Sequence, residues 1–227
     1  MSLVNMAKKS QRTFGPEHFR KYSGHSDRLL LRLEKEAART DIPIVGPAMG
    51  KLLYLLARAS GARRVLELGT SIGYSTIWLA RAVAPAGGKV TSLEWDAGTA
   101  AKAEKNLAEA GVARSVEVVV GDALGWLAGN ARRRKFDLVF NDIDKELYSP
   151  TLVPIAMMLR PGGLAIFDNT AFRSAGDFLD VAQRHPELEV LHLHCFLPGH
   201  DPDDDAVTLC VKKRHGRIAG DYNSAPS

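Results

Sequence analysis

Five apolar runs in this chain each stop at an acidic residue. They are Val65-Leu66-Glu67, Val90 to Glu94, Val116 to Val120 before Gly121-Asp122, Leu138 to Phe140 before Asn141-Asp142, and Leu164 to Phe167 before Asp168. They recur every 20 to 28 residues, with helix-compatible sequence between them. Runs of that length are apolar throughout when helices cover both faces of a parallel sheet, so the rhythm predicts an α/β fold. Parallel strands all finish on one edge, which collects the five acids on one rim, and ligands of open α/β sheets sit outside that edge.

The predicted strands are Arg63–Leu68, Lys89–Glu94, Ser115–Val120, Phe136–Asn141 and Leu164–Asp168, the last entered through a turn at Arg160–Gly163. Helices are expected at Gly73–Val83, Ala97–Ala110, Ala123–Ala131, Ser149–Leu159 and Ala175–Arg184. Two further helices precede the sheet, one from Pro16 to about Arg39 and one from Gly46 to Ala59. The strand-like runs Leu188–Phe196 and Ala206–Lys213 are joined only by Leu197–Asp205, too short for a crossover helix, so this last pair is expected to be antiparallel. Five parallel strands ending in a hairpin resemble the seven-stranded sheet of class I methyltransferases, a Rossmann-like fold with helices on both faces.

At 227 residues the chain suits one domain. The expected organisation is a flexible N-terminus over residues 1–15, a single domain over 16–214 and a disordered tail over 215–227. Hydrophobic residues make up 45% and charged residues 25%, as in globular proteins generally. No run approaches the ~20 apolar residues that span a bilayer, and Met1–Arg12 lacks the apolar core of a signal peptide. Cys195 and Cys210 read as buried thiols, and the expected compartment is the cytoplasm. The net charge of +4 is too small to call for a nucleic-acid partner, and no aromatic platform accompanies the basic clusters. Neither nucleic acid nor membrane is expected as a partner.

Three segments carry chemistry. In Glu67-Leu68-Gly69-Thr70-Ser71-Ile72-Gly73-Tyr74-Ser75, glycines bring a strand-to-helix backbone close to a ligand, and the helix start offers free N–H groups to a carboxylate. Ser71 stands where a dinucleotide fingerprint needs its second glycine. Glu94 ends the second strand, where an acid accepts hydrogen bonds from ribose hydroxyls. Asn141-Asp142-Ile143-Asp144-Lys145 pairs with Asp168-Asn169: if their strands are neighbours, Asp142, Asp168 and Asn169 converge. Three oxygen donors without histidine or cysteine suit a hard cation rather than zinc.

Glu67 to Ser75, Phe140-Asn-Asp-Ile-Asp-Lys-Glu-Leu-Tyr148 and Arg160-Pro-Gly-Gly-Leu-Ala-Ile-Phe-Asp-Asn169 together resemble the signature segments of the cation-dependent O-methyltransferases, the catechol and caffeoyl-CoA type. The match runs from about Ile44 to Lys213. The resemblance implies S-adenosyl-L-methionine as cofactor, with Val45, Glu67, Gly69, Thr70 and Ser75 around its methionine half. It implies Glu94 at the ribose, Asp122 and Ala123 at the adenine, and Asp142 beside the cofactor. It implies Asp142, Asp168 and Asn169 as ligands of a divalent cation, usually Mg²⁺ with Ca²⁺ or Mn²⁺ as alternatives, and catalytic roles for Lys145, as general base, and for Asp142. The implied acceptor is a small phenolic molecule, and the implied assembly a homodimer. The N-terminal helix would cover the acceptor pocket or join the dimer.

The implied chemistry is physically coherent. A phenol near pKa 10 is mostly protonated at neutral pH, and a cation on one hydroxyl oxygen stabilises the oxyanion. Lys145 must be neutral to accept a proton, which a neighbouring cation favours and Asp144, if close, opposes. Alignment of oxygen, methyl and sulfur supplies roughly 7–11 kcal/mol. Two oxygens on one ion imply a vicinal diol on an aromatic ring. The chain departs from the family at Thr170-Ala171-Phe172-Arg173, where relatives carry an aliphatic residue and a tryptophan. It departs again at the acidic connection Gly199–Ala206, which is expected to be a solvated hairpin tip. Trp95 is placed either on the adenine or against the adjacent helix, and His192 and His194 share one strand face. Two other functions stay open: a nicotinamide-dependent oxidoreductase, which Ser71 and the hairpin oppose, and a non-catalytic S-adenosylmethionine-binding regulator, which Asp142, Lys145, Asp168 and Asn169 oppose.

Overall fold

A computed structural model describes residues 14–133 and 135–214. The expected disordered tail and all but the last two residues of the expected flexible N-terminus lie outside the described residues. Seven strands form one sheet in the order β3-β2-β1-β4-β5-β7-β6. They are β1 (Arg64–Leu68), β2 (Lys89–Glu94), β3 (Val116–Val120), β4 (Phe136–Asn141), β5 (Leu159–Phe167), β6 (Leu188–Phe196) and β7 (Asp204–Lys212). The first five run parallel; β7 is antiparallel to β5, and β6 is antiparallel to β7, as the short connection requires. The expected neighbour relation of β4 and β5 holds, with Asn141 opposite Phe167.

The helices are α1 (Arg28–Thr40), α2 (Gly46–Ala59), α3 (Tyr74–Val83), α4 (Ala97–Glu109), α5 (Ala123–Asn130), α6 (Tyr148–Met158) and α7 (Phe178–Gln183). Alternate residues of one strand enter opposite layers. Val65, Leu138, Phe140, Leu164 and Ile166 pack under α1, α2 and α3 through Leu33, Leu53 and Ile77. Leu66, Leu68, Val139, Ala165 and Phe167 pack against α5, α6 and α7 through Leu127, Ile155 and Phe178. Burying both faces is why these strands carry no regular polar residue. No helix among the described residues is long and apolar enough to cross a membrane.

Three expectations need correction. The first helix breaks in two: Pro16–Tyr22 is a 3-10 segment, and α1 starts afresh where the Asp27 carboxylate accepts from the Leu30 amide at 2.9 Å. The helix expected at Ala175–Arg184 shrinks to α7, preceded by a 3-10 turn at Arg173–Ala175. The turn at Arg160–Gly163 is a bulge within β5, since Phe136 and Leu138 of β4 pair with Leu159 and Leu164. Pairing at both ends keeps the strand continuous across the two glycines.

Candidate active site

The carboxyl ends of the parallel strands open into a cavity of about 1000 Å³. That is at the upper end of the roughly 300–1,000 Å³ typical of small-molecule sites, enough for a cofactor and an acceptor together. Glu94, Asp122, Asp142 and Asp168 line it, so four of the five strand-end acids share one rim. Val45, Gly69, Thr70, Ser75, Ala123, Lys145 and Asn169 line it too.

Glu67 is the exception. It precedes the last residue of β1, so strand alternation turns it into the layer beneath α3 rather than onto the rim. It is fully buried, and its Oε2 accepts from Thr76 and Ser92 at 2.5 Å each. Its Oε1 is buried without a hydrogen-bond partner. Burial raises its pKa from 4.5 to about 7, against the lowering by the Ser92, Thr76 and Ser75 hydroxyls. A carboxyl that binds its proton more tightly when folded stabilises the fold below pH 4.5, and that stability is lost as pH rises through about 7. The difference amounts to roughly 3 kcal/mol. Glu67→Gln is therefore expected to flatten the fall in urea midpoint between pH 5 and 8; a variant with the wild-type slope would exonerate Glu67.

The glycine turn is held by its own geometry. Gly69 has φ 97°, and a Cβ there would stand 2.3 Å from the Asp142 carbonyl oxygen. Ser71 takes φ 48°, an uncommon conformation for a residue with a side chain, and its amide donates to Glu94 Oε2 at 2.8 Å. Glu94 Oε1 accepts from the Asp96 amide at 3.2 Å. The glutamate thus sits fixed, with lone pairs on both oxygens still free for hydroxyl donors. Trp95 is 82% exposed and lines the cavity, so it does not pack against α4.

Across the cavity, β4 and β5 are locked together at their tips. The Tyr148 hydroxyl is fully buried and lies 3.1 Å from the Asn141 carbonyl and 2.8 Å from the Asp168 carbonyl. Lys145 donates to Asp142 Oδ1 at 2.7 Å and lies 5.4 Å from the centre of the Tyr148 ring. Asp142, rather than Asp144, is the carboxylate paired with this lysine. Asp168 is buried, and the charge of Asp142 acts on it. Among the described residues no three His, Cys, Asp or Glu side chains gather as a metal cluster; the expected donor set is two carboxylates and an amide.

Two site residues escaped the sequence reading. The connection between β6 and β7 folds inward with the first residues of β7, burying His200 and Asp205 beside Asp168 and Asn169. Gly46 at φ 68° permits this, since a Cβ there would stand 1.9 Å from the Gly199 carbonyl oxygen. Only part of the tip meets the solvated-hairpin expectation: Asp204 is exposed, whereas Asp203 pairs with Arg20 at 2.5 Å. His200 Nε2 faces Asp168 Oδ2 at 3.0 Å and Nδ1 faces the Pro202 carbonyl at 2.9 Å. With Asp168 ionised both partners are acceptors, an arrangement that favours a proton on each ring nitrogen. Burial works against that charge, but the hydrogen bond and charge of Asp168 outweigh it and push the His200 pKa up to about 9. Histidine next to four acidic positions in a loop was the available signal.

The remaining candidates sort plainly. His192 bonds Thr208 at 2.9 Å and His194 is mostly exposed beside Asp204, so the pair holds no common centre. Both cysteines are free thiols, but only Cys210 is buried as expected, Cys195 being half-buried; burial pushes the Cys210 thiol up to about 12. Helix α1 contributes no residue to the cavity; the segment after it, Ile42 to Val45, does. Phe172, from the divergent stretch after Asn169, forms part of the wall.

Known proteins resemble this chain in sequence and fold. A family model described as O-methyltransferase matches residues 20–197. The catechol O-methyltransferase of Niastella koreensis is 36% identical over 190 residues, covering 82% of this chain and 85% of that protein. The catechol O-methyltransferase of Mycobacterium tuberculosis is 46% identical over 189 residues, covering 80% of each. An O-methyltransferase of Streptomyces achromogenes involved in tomaymycin synthesis, solved in complex with S-adenosylmethionine, superposes with a TM-score of 0.77. It is 30% identical, with 88% of this chain and 96% of that chain covered. A Rossmann-like sheet ending in an antiparallel pair, a glycine turn facing an acid-lined rim, and relatives that match along most of the chain lead to one conclusion: this chain belongs to the O-methyltransferase family.

Proposed function

We propose that the protein transfers a methyl group from S-adenosylmethionine to one hydroxyl of a small vicinal diphenol held on a divalent cation. The observation that carries this reading is Asp168 Oδ1, a buried carboxylate oxygen without a hydrogen-bond partner in a residue that lines the cavity. Buried polar atoms are almost always paired, so an orphan among oxygen donors fits a bound cation. The catechol O-methyltransferase names of the two relatives agree with a diphenol acceptor.

Asp142, Asp168 and Asn169 would hold the ion, Mg²⁺ being the first choice for an all-oxygen set. The cation supplies Lewis-acid stabilisation of the acceptor oxyanion and a positive charge beside Lys145, which favours a neutral amine. S-adenosylmethionine supplies the electrophilic methyl. The fixed carboxylate of Glu94 would accept the ribose hydroxyls, and the N–H groups at the start of α3, which no side chain caps, would receive the cofactor carboxylate. Glu67 would act on the methionine half from behind Ser75, its unpartnered Oε1 being an acceptor for an ammonium group. Lys145 Nζ would take the proton from the acceptor hydroxyl. Ile42, Ile44, Leu147 and Phe172 would exclude water and orient the ring.

A panel of catechols, hydroxycinnamoyl thioesters and flavonoids, supplied with S-adenosylmethionine and Mg²⁺, tests the reading by product analysis. Vicinal diols are expected to give singly methylated products, and the matching monophenols none. Methylation of monophenols that continues in the presence of a chelator would overturn the diol-chelation model.

A further inference from the structure

The β6–β7 connection and the start of β7 touch the two predicted ion ligands that follow β5 and leave one oxygen of each unclaimed. Asp205 is fully buried, 36 residues from Asn169, and its Oδ2 accepts from Asn169 Nδ2 at 2.6 Å. The Asp201 carbonyl accepts from the same nitrogen at 3.2 Å. A carboxylate and a carbonyl can only accept, so the group facing them is the amide NH₂, and the amide oxygen of Asn169 is turned away from the loop. Asp205 Oδ1 is occupied separately by the amides of Ala206 at 2.6 Å and Ala171 at 3.3 Å. His200 does the corresponding thing to Asp168: it holds Oδ2 at 3.0 Å, while Oδ1 stays buried and unpartnered. Without such anchors the Asn169 amide could rotate and present NH₂, which repels a cation instead of ligating it.

We propose that Asp205 and His200 are positioning residues for the cation site, with Asp205 fixing which end of the Asn169 amide faces the ion and His200 fixing which Asp168 oxygen does. This rests on the cation reading given above. Partners that orient metal ligands without touching the metal typically change affinity about 10–100-fold when removed.

The isosteric change Asp205→Asn gives the sharpest test. The Ala206 and Ala171 amides keep the oxygen of the new side chain, so its NH₂ faces Asn169. Two NH₂ groups cannot face each other, so Asn169 turns round and offers NH₂ to the ion. Mn²⁺ affinity, followed by the electron paramagnetic resonance of free Mn²⁺, is expected to fall about 10–100-fold. S-adenosylmethionine affinity, measured by calorimetry, should be unchanged and so certify the fold. The exchange Asn169→Asp with Asp205→Asn swaps the two groups. The introduced carboxylate then accepts from the introduced amide and points its other oxygen at the ion, and this double variant is expected to recover Mn²⁺ binding. In the same assay His200→Leu should weaken Mn²⁺ binding and His200→Gln, which can still donate to Asp168, should largely preserve it.

Wild-type Mn²⁺ affinity in Asp205→Asn, or no recovery in the exchanged pair, would overturn the proposal while leaving the cation site standing. Wild-type protein that takes up no Mn²⁺, or takes it up equally well as Asp168→Ala, would refute the cation reading itself and the proposal with it.

Discussion

Replacing Lys145 by alanine is expected to lower kcat by about 10²–10⁴-fold, the usual contribution of a positioned general base. Its contacts are Asp142 and the face of Tyr148, neither of which depends on the cofactor's adenosine half, so S-adenosylmethionine affinity should stay near the wild-type value. Removing the amine also frees Asp142 Oδ1, so ion binding should hold or strengthen, which a loss of structure would not produce. Lys145→Arg sharpens the test. Arginine restores the positive charge and a partner for Asp142 but cannot give up its proton, so its turnover should be as poor as that of alanine. Steady-state kinetics beside calorimetry decides the matter: wild-type turnover in either variant would remove Lys145 from the mechanism.

Chelation is the second large effect. EDTA is expected to lower turnover by more than about 100-fold, since Lewis-acid stabilisation of an oxyanion is worth several kcal/mol and about 1.36 kcal/mol is a factor of ten. Excess Mg²⁺ should restore it fully. The three donor residues lie just past the ends of β4 and β5, outside the helices and strands, so circular dichroism should be unaffected by EDTA. Turnover that survives exhaustive chelation would leave the buried Asp168 oxygen without the role assigned to it. A loss of helical signal on adding EDTA would instead make any ion structural.

Much of the rim was legible from local chemistry. Glu94, Asp142 and Asp168 were readable because each ends or follows an apolar run, and parallel strands leave no choice about the edge on which they finish. The hairpin was readable from a connection too short to cross the sheet. Only the expected rim position of Glu67 fails, because its side-chain direction obeys the two-residue alternation of β1 and enters the layer beneath α3. His200 and Asp205 were invisible for a different reason. Nothing within the acidic loop says which of its carboxylates is buried; that depends on the close approach of Gly46 to Gly199 and on what β5 presents opposite.

Sequence alone determined the layer architecture, the common edge on which the parallel strands finish and the oxygen-bearing side chains placed there. Each of these follows from hydrophobic period, connection length and residue type, which are properties of neighbours along the chain. The tertiary structure alone decided which face Glu67 enters, that Asp142 rather than Asp144 pairs with Lys145, and that Asp205 reaches Asn169 across 36 residues. Those outcomes depend on side-chain direction and on packing between distant segments, where a displacement of about one ångström makes or breaks a hydrogen bond.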